Sequence, residues 1–474
     1  MISFSERQLR IPRYLRPVYL VTAGQSRFDR AIPEKKTEEL CIDAFSMAAE
    51  LIDKSPAELK KYIHSAYYGH FADHIGDQLL GEALIHDRLG LDPTGNIGVK
   101  AGGATGGSTM WEAVKTVASG YSDCVLAMGW ERMDELPTDE NNHIIACAAD
   151  KDWETPLGHT YTGYYAVMAQ KYWQVFGREE ESFRRTMAEI AVKHRRDARF
   201  NPFAHGGMDI TVEDVLQSPV VAYPLRLLDC CLMSVGASCA VICDEDTAMQ
   251  LTRNTRNKPL RIWVTSGSHT LRAGCRRNME IPLLPNESRE QYADLEDRFP
   301  GSGRYPGFTG FLAARMAAYY AYNMCGITDP IEELDVAELH DAFTISDIQT
   351  YEDLGFRPYG EGRDYVESGD CYHTIPGSGK PGRLPSNVSG GLMGCAHAIG
   401  ASGIMQIFEV ATQLWGRWGE IHGDPKLWEL FGRKKPDDWK DLQIKNARRG
   451  LTISHAGLGS NVTCAVLSDP DHLT

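Results

Sequence analysis

Short apolar runs alternate with amphipathic or small-residue stretches along this chain, in an order that occurs twice. Residues 17–24, PVYLVTAG, are a near-continuous apolar run ending at a glycine, the pattern of a buried strand and its turn. CIDAFSMAAELI (41–52) carries its apolar positions at helical spacing, and KKYIHSAYYG (60–69) predicts the next strand. Further along, PLRIWVTSG (259–267) again predicts a strand and a glycine turn. FLAARMAAYYAYNMC (311–325) predicts a small-residue helix closed by Gly326, and LDVAELH (334–340) the following strand.

Each half continues with a glycine-rich segment that opens a helix. The first is AGGATGGSTMWEAVKTVASG (101–120), followed by the strand pattern DCVLAMG. The second is SGGLMGCAHAIGASGIMQIFEVATQLW (389–415), followed later by VTCAVLS. Strand–helix alternation repeated twice predicts an α/β protein of two similar halves with parallel-rich sheets, 1–250 and 258–474. An insert of about 130–220 interrupts the first half with two predicted helices, YYAVMAQKYWQVFG and SFRRTMAEIAVKHRRDARF. A second insert, about 417–442, reads as a surface loop, with a folded excursion or a partner contact as alternatives.

Composition narrows the function. The net charge of -15 at pH 7 disfavours a nucleic-acid or anionic-membrane surface, both of which attract basic faces. No apolar run reaches the length of a membrane span, and MISFSERQLRIPRYLR lacks the apolar core of a secretion signal. The twelve cysteines contain no CxxC pair, so neither a disulfide framework nor a metal site is expected, and reduced thiols in a cytoplasmic protein are.

Three segments could carry chemistry. NVSGGLMGCAHAIGASG places His397 in a glycine-rich turn at a helix start, where a histidine can act as a base or stabilise an oxyanion, or simply cap the turn. ELHDAFTISDIQTYEDLGF puts His340 and Asp341 just after a strand, where α/β folds bind ligands; a hydrogen-bonded structural histidine is the alternative. NARRGLTISHAGLGSNVTCAVL supplies His455, read as structural, and a third glycine turn at Gly457 and Gly459.

Together HDAFTISDIQTYEDLGF, NVSGGLMGCAHAIGASG and ARRGLTISHAGLGS resemble the C-terminal signature segments of the thiolase superfamily. The resemblance is strongest to its sterol-carrier-protein-like and archaeal acetoacetyl-CoA branch, which includes thiolase-like steroid side-chain aldolases. VYLVTAGQSRFDR, VASGYSDCVLAMGWERM and NPFAHGGMDITVEDVLQSPVVAYPLRLLDCC fit the same family, so the likeness spans nearly the whole chain. It implies five stacked layers, αβαβα, with a loop-domain insert and a homodimeric core. It also implies substrates carried on coenzyme A with no tightly bound cofactor. The aldolases imply a small zinc-ribbon/OB-fold partner protein.

The departures shape the expected activity. Counting back from Ala118-Ser119-Gly120 puts Gly103 at the position of the family's nucleophilic cysteine, and Thr105 or Ser108 would have to turn inward to replace it. Ala342 stands where many relatives carry an acid/base cysteine, and Ala398 replaces a proline. His340 matches the oxyanion-side histidine and His397 the base-side histidine. Asn387, Gly390, Gly391, Cys231, Gly457 and Gly459 match segments on the substrate and coenzyme A side. Cys395, Cys230 and Cys231 are read as packed thiols, with Cys395 the one a helix N-terminus could activate. Losing the cysteine while keeping both histidines suits retro-aldol cleavage of a β-hydroxyacyl-CoA, which needs a base and an oxyanion site but no covalent nucleophile. A thiolase or acyltransferase with a non-standard nucleophile, and a non-catalytic subunit of an acyltransferase complex, are the alternatives. Tyr161, Tyr164, Tyr165, Trp153 and Trp173 would suit a bulky or aromatic acyl group, or form the core of the insert.

Overall fold

A computed structural model describes residues 10–158, 160–177, 179–271, 282–292 and 307–472. The ends of the two expected halves, residues 1–9 and 473–474, lie outside the described residues. The strands are β1 (Tyr19–Gln25), β2 (Ser65–Gly69), β3 (Gly95–Val99), β4 (Cys124–Arg132), β5 (Val220–Ala222), β6 (Leu225–Arg226), β7 (Val235–Cys243), β8 (Leu260–Ser268), β9 (Val336–Glu338), β10 (Arg449–Ala456) and β11 (Asn461–Ser468). Nine of them run in the order β3-β2-β4-β7-β1-β8-β11-β10-β9, while β5 and β6 form a separate ribbon.

The two ends of this sheet face each other across two helices. Thr105–Ala118 and Ile399–Leu414 each contact β4 and β7 on one side and β10 and β11 on the other. Every residue of Ile399–Leu414 is buried, as a helix walled in on all sides must be. Glycine lets the pair approach: a Cβ on Gly106 would sit 2.7 Å from the backbone nitrogen of Gly403. The helix Thr37–Glu50 covers β1 and β7 outside, and Leu312–Cys325 covers β8 and β11, which completes five layers.

The sheet joins at β1 and β8, which pair antiparallel through Tyr19 with Arg261 and Leu20 with Leu260. The expectation of parallel-rich sheets needs correction. β2 lies parallel to β3 and β4, and β9 to β10, but the five remaining pairings are antiparallel. The reason is connectivity: β10 turns directly into β11 through residues 457–460, and so short a turn allows only an antiparallel pair.

The insert folds as helices Tyr161–Phe176 and Glu180–Ala198, which pack on Thr344–Asp353 above the sheet. Residues 417–442 are not a plain loop. Trp418 is fully buried and stacks on His422 with ring centroids 4.2 Å apart. Both reach Glu409 on the central helix, Trp418 through Nε1 at 3.3 Å and His422 through Nε2 at 3.0 Å. Gln25 and Asn201 donate to the same carboxylate at 3.0 and 3.2 Å, so β1, the insert and this excursion share one buried acceptor. Among the described residues no helix is long and apolar enough to cross a membrane.

Candidate active site

Two strand ends and one helix start deliver the histidines to one place. His340 follows β9, His397 sits in the turn before Ile399–Leu414, and His455 lies near the end of β10. The rings of His340 and His397 meet edge-on with centroids 5.2 Å apart, and those of His340 and His455 stack at the same distance. All three line a cavity of about 490 Å³ together with Gly103, Cys230, Cys231, Ala342 and Gly457. His455, read from sequence as structural, is thus a wall of the cavity. Phe71, Met133, Ile145, Tyr165 and Phe343 add apolar surface beside the polar Arg30, Thr138, Asn142, Thr162 and His205.

Gly103 lies in a single tight turn, Gly102–Ala104, that leads into the helix Thr105–Ala118. A Cβ there would overlap the carbonyl oxygen of His455 and come within 3.6 Å of His340 Cε1. Thr105 does not turn inward. Its hydroxyl donates to the Gly102 carbonyl at 2.7 Å and accepts from the Ala101 amide at 3.0 Å. Neither Thr105 nor Ser108 lines the cavity.

The tautomer of His397 follows from its neighbours. Ser402 Oγ donates to the Ala398 carbonyl at 2.9 Å, which uses its only proton. It therefore accepts from His397 Nδ1, also at 2.9 Å, and Nε2 is left with its lone pair. Burial lowers the His397 pKa to about 4, against a smaller raising effect of Asp341, so the ring is neutral. The backbone of His397 is fixed by a bond from its amide to Ser234 Oγ at 2.9 Å, and His205 Nε2 meets that hydroxyl at 2.8 Å. The Ser346 hydroxyl lies 3.1 Å from the His340 carbonyl and 2.6 Å from that of Phe343, so its one proton bridges the turn that follows His340. Burial, then His455 and His397, depress the pKa of His340 well below the ordinary value, and its Nδ1 has no hydrogen-bond partner among the described residues.

The thiols are poorly placed as nucleophiles. Burial pushes Cys231 up to about 12, and Cys230 also rises for the same reason. Cys395 does not line the cavity; burial, Glu409 and Glu338 raise it well above the ordinary thiol value.

Of the residues matched to the substrate and coenzyme A side, Cys231 and Gly457 line the cavity and the others lie outside its wall. Asn387 Oδ1 accepts from the Leu339 amide at 2.5 Å, tying the turn to the end of β9. Gly390 and Gly391 have φ of 101° and 62° and abut Ala198 and the Asp341 carboxylate. A Cβ on Gly459 would overlap the Phe311 ring. A further cavity of about 510 Å³ lies beyond the other end of Ile399–Leu414, about 24 Å away at 1.5 Å per helical residue. It holds no histidine.

Sequence reasoning missed Ser402, Ser234, His205 and His194. Only Ser402 left a trace, five residues after His397 in the helix that the glycine turn opens.

Residues 302–424 match the family described as thiolase C-terminal domain-like. The chain is 30% identical over 456 residues to an acetyl-CoA acetyltransferase of Methanocaldococcus jannaschii, covering 96% of this chain and 100% of that one. It is 30% identical to the benzoylsuccinyl-CoA thiolase subunit BbsB of Thauera aromatica, over 84% of this chain and 89% of the relative. A solved Ltp2–ChsH2(DUF35) aldolase superposes with a TM-score of 0.69 at 20% identity, covering 97% of this chain and 100% of that one. With the five layers and the histidine cluster already in place, these matches show that the chain belongs to the thiolase superfamily, in the branch of the archaeal acetyl-CoA acetyltransferases.

Proposed function

We propose that the protein makes or breaks a carbon–carbon bond in an acyl-CoA without a covalent acyl-enzyme, and that the reaction is retro-aldol cleavage of a β-hydroxyacyl-CoA. The observation that carries this reading is the Gly103 position. It has no side chain to acylate, and the His455 carbonyl occupies the space where one would project. In the proposed reaction His397 Nε2 takes the proton of the β-hydroxyl. The Cα–Cβ bond breaks, its electron pair becomes the thioester enolate, and the β-carbon leaves as a carbonyl. His340 donates to the enolate oxygen, and the proton on His397 returns to Cα, giving a shorter acyl-CoA. Coenzyme A enters only as part of the substrate.

A thiolase or acyltransferase with a non-standard nucleophile is the second reading, favoured by the presence of Cys230 and Cys231 in the cavity wall. Against it stand their raised pKa values, since the thiolate is the nucleophile. A non-catalytic subunit of an acyltransferase complex is the third, and the retained histidines oppose it.

We infer a homodimeric core and a small zinc-ribbon/OB-fold partner. The aldolase neighbour is a complex with a DUF35 protein, which supports the second inference. The division into halves at 1–250 and 258–474 belongs to the same proposal; β1–β7 fall in one and β8–β11 in the other. So does a cytoplasmic location, which the free thiols of the described cysteines support.

The test is intact-protein mass spectrometry during incubation with acyl-CoA and β-hydroxyacyl-CoA esters, with and without the partner. Cleavage to a carbonyl product and a shorter acyl-CoA, with no adduct, is the expected result. A stoichiometric acyl adduct on Cys231 or any other side chain would transfer the reading to the thiolase class. Neither product nor adduct in the presence of the partner would leave the subunit role.

A further inference from the structure

The cavity holds a polar group to which the proposed chemistry gives no role. Tyr161 opens the helix Tyr161–Phe176 and lines the cavity with the three histidines. Its hydroxyl oxygen is buried and has no hydrogen-bond partner among the described residues. Buried hydroxyls are paired in the great majority of cases, because an unpaired one forfeits its bonds to water. An orphan on a residue that lines a cavity points to a partner that arrives with the ligand.

Its position says which part of the ligand. Tyr161 Oη lies 3.5 Å from where a Cβ on Gly457 would sit, and a Cβ on Gly102 would lie 3.7 Å from the Gly457 nitrogen. The hydroxyl thus stands across one turn from the Gly102–Gly103 segment. One helical turn on, Tyr165 stacks on Phe343 with centroids 4.4 Å apart and forms part of the apolar wall. Tyr161 thus lies between the Gly102–Gly103 turn and the apolar wall that Tyr165 and Phe343 form. Burial, then Tyr165, Glu154 and Tyr164, raise the phenol far above its ordinary value, so it remains a neutral donor.

We propose that Tyr161 is a substrate-contacting residue whose hydroxyl donates a hydrogen bond to the oxygen on the β-carbon of the bound acyl-CoA. The inference rests on the acyl-CoA reading above. The phenol keeps its proton throughout: the β-hydroxyl proton goes to His397, and the oxygen accepts from Tyr161 as hydroxyl, alkoxide and product carbonyl. Tyr161 would therefore distinguish β-oxygenated esters from saturated ones.

The test compares wild type and Tyr161→Phe by titration calorimetry with three ester pairs: 3-hydroxybutyryl- and butyryl-CoA, 3-hydroxyoctanoyl- and octanoyl-CoA, and 3-hydroxy-3-phenylpropionyl- and 3-phenylpropionyl-CoA. The expected result is a Kd raised roughly tenfold for the hydroxy esters that bind and unchanged for their saturated partners. The Tm of the free protein should stay the same or rise, because the deleted hydroxyl had no partner there. Equal weakening of both esters, no weakening of either, or a Tm several degrees lower would overturn the assignment while leaving the acyl-CoA reading intact. Failure of wild type to bind any of the six esters, with its native fold confirmed, would overturn both.

Discussion

His194 Nδ1 lies 2.8 Å from Asp341 Oδ2, and its other ring nitrogen is 3.2 Å from Asp347 Oδ2, all three side chains being fully buried. Asp341 is the neighbour of His340 in sequence. Its carboxylate also accepts from the amides of Leu392 and Met393 at 2.7 and 3.1 Å, in the short helix that leads to His397. One buried pair therefore ties the segment bearing one histidine to the turn bearing the other. Breaking such a pair leaves an uncompensated buried charge, which costs about 3–5 kcal/mol. His194→Leu should lower stability by that order in urea unfolding, and activity should fall with it.

The same pair sets a pH dependence. Burial opposes charge on His194, but Asp347 and Asp341 outweigh it and raise its pKa to about 9. A histidine pKa higher in the folded than in the unfolded state contributes stability that is complete below about pH 6.5 and lost as pH rises through about 9. Glu338 and Glu131, both raised to about 8 chiefly by burial, also favour the protonated folded state and lose that contribution as pH rises from about 4.5 to 8. The decisive quantity is therefore the difference between proteins. The Tm of wild type should fall between pH 7 and 9.5 more steeply than that of His194→Gln. Parallel slopes would show that His194 is not charged.

His397→Ala should lose on the order of 10²–10⁴ in kcat, the usual worth of a positioned acid or base. His340→Ala should lose roughly 10²–10³, as for one oxyanion donor. With the His397 pKa at about 4, its basic form dominates throughout the neutral range. The pH profile of kcat/KM should accordingly stay flat from pH 8 down to about 5 and fall only near 4. An acid limb centred near 6.5, the unperturbed histidine value, would assign the base elsewhere.

Placing a cysteine at Gly103, the proposed nucleophile position, should not create a thiolase. A side chain at Gly103 must displace the His455 carbonyl at the end of β10, and overpacking of this kind costs about 1–3 kcal/mol. Gly103→Cys should show reduced thermal stability and no stoichiometric acyl adduct with acetyl-CoA. A stable variant that acylates would mean the pocket still accepts the nucleophile.

Much of this was legible in the sequence, for physical reasons that differ by element. The strand at 17–24 and the helix at 311–325 declared themselves because both are apolar and end at glycine, and the structure places them at Tyr19–Gln25 and Leu312–Cys325. The run 389–415 reads as a glycine-rich turn that opens a helix, with His397 in the turn; the structure keeps that turn ahead of Ile399–Leu414 and adds a short helix, Gly391–Gly394, before it. The backbone bond from His397 to Ser234 that helps define the turn joins positions 163 residues apart, so no local pattern predicts it. The same holds for His194: on its helix it is one polar residue among several, and only the fold brings Asp341 and Asp347 to it. The excursion at 417–442 looked like a loop because its charges dominate the pattern, while its order comes from Trp418 and His422 meeting Glu409.

That excursion yields a stability prediction separate from activity. Trp418→Ala removes a fully buried ring and its bond to Glu409, and large-to-small changes of that kind cost about 3–5 kcal/mol. Unfolding should shift accordingly in denaturant, whereas kcat/KM of the folded fraction should change less than tenfold, because no residue of 417–442 lines the cavity.

The last prediction concerns assembly. β3 pairs only with β2 and ends the sheet, leaving one edge of backbone groups open. Residues Gly95–Gly98 are exposed, and Ile97 presents an apolar side chain at 56% exposure. Open, apolar edges invite pairing with another strand, and proteins that stay monomeric protect them with charge, proline or a covering element. β3 itself carries neither a charged residue nor a proline. Pairing of β3 with its copy about a two-fold axis would close the edge and bury Ile97, so the protein should sediment as a homodimer at micromolar concentration. Ile97→Lys should shift the mass toward one chain of 52.7 kDa, and a proline at the same position should do so more completely by blocking the ladder. A wild-type protein that runs as a monomer with full activity would rule the homodimer out. A dimer that both substitutions leave intact would place the interface elsewhere.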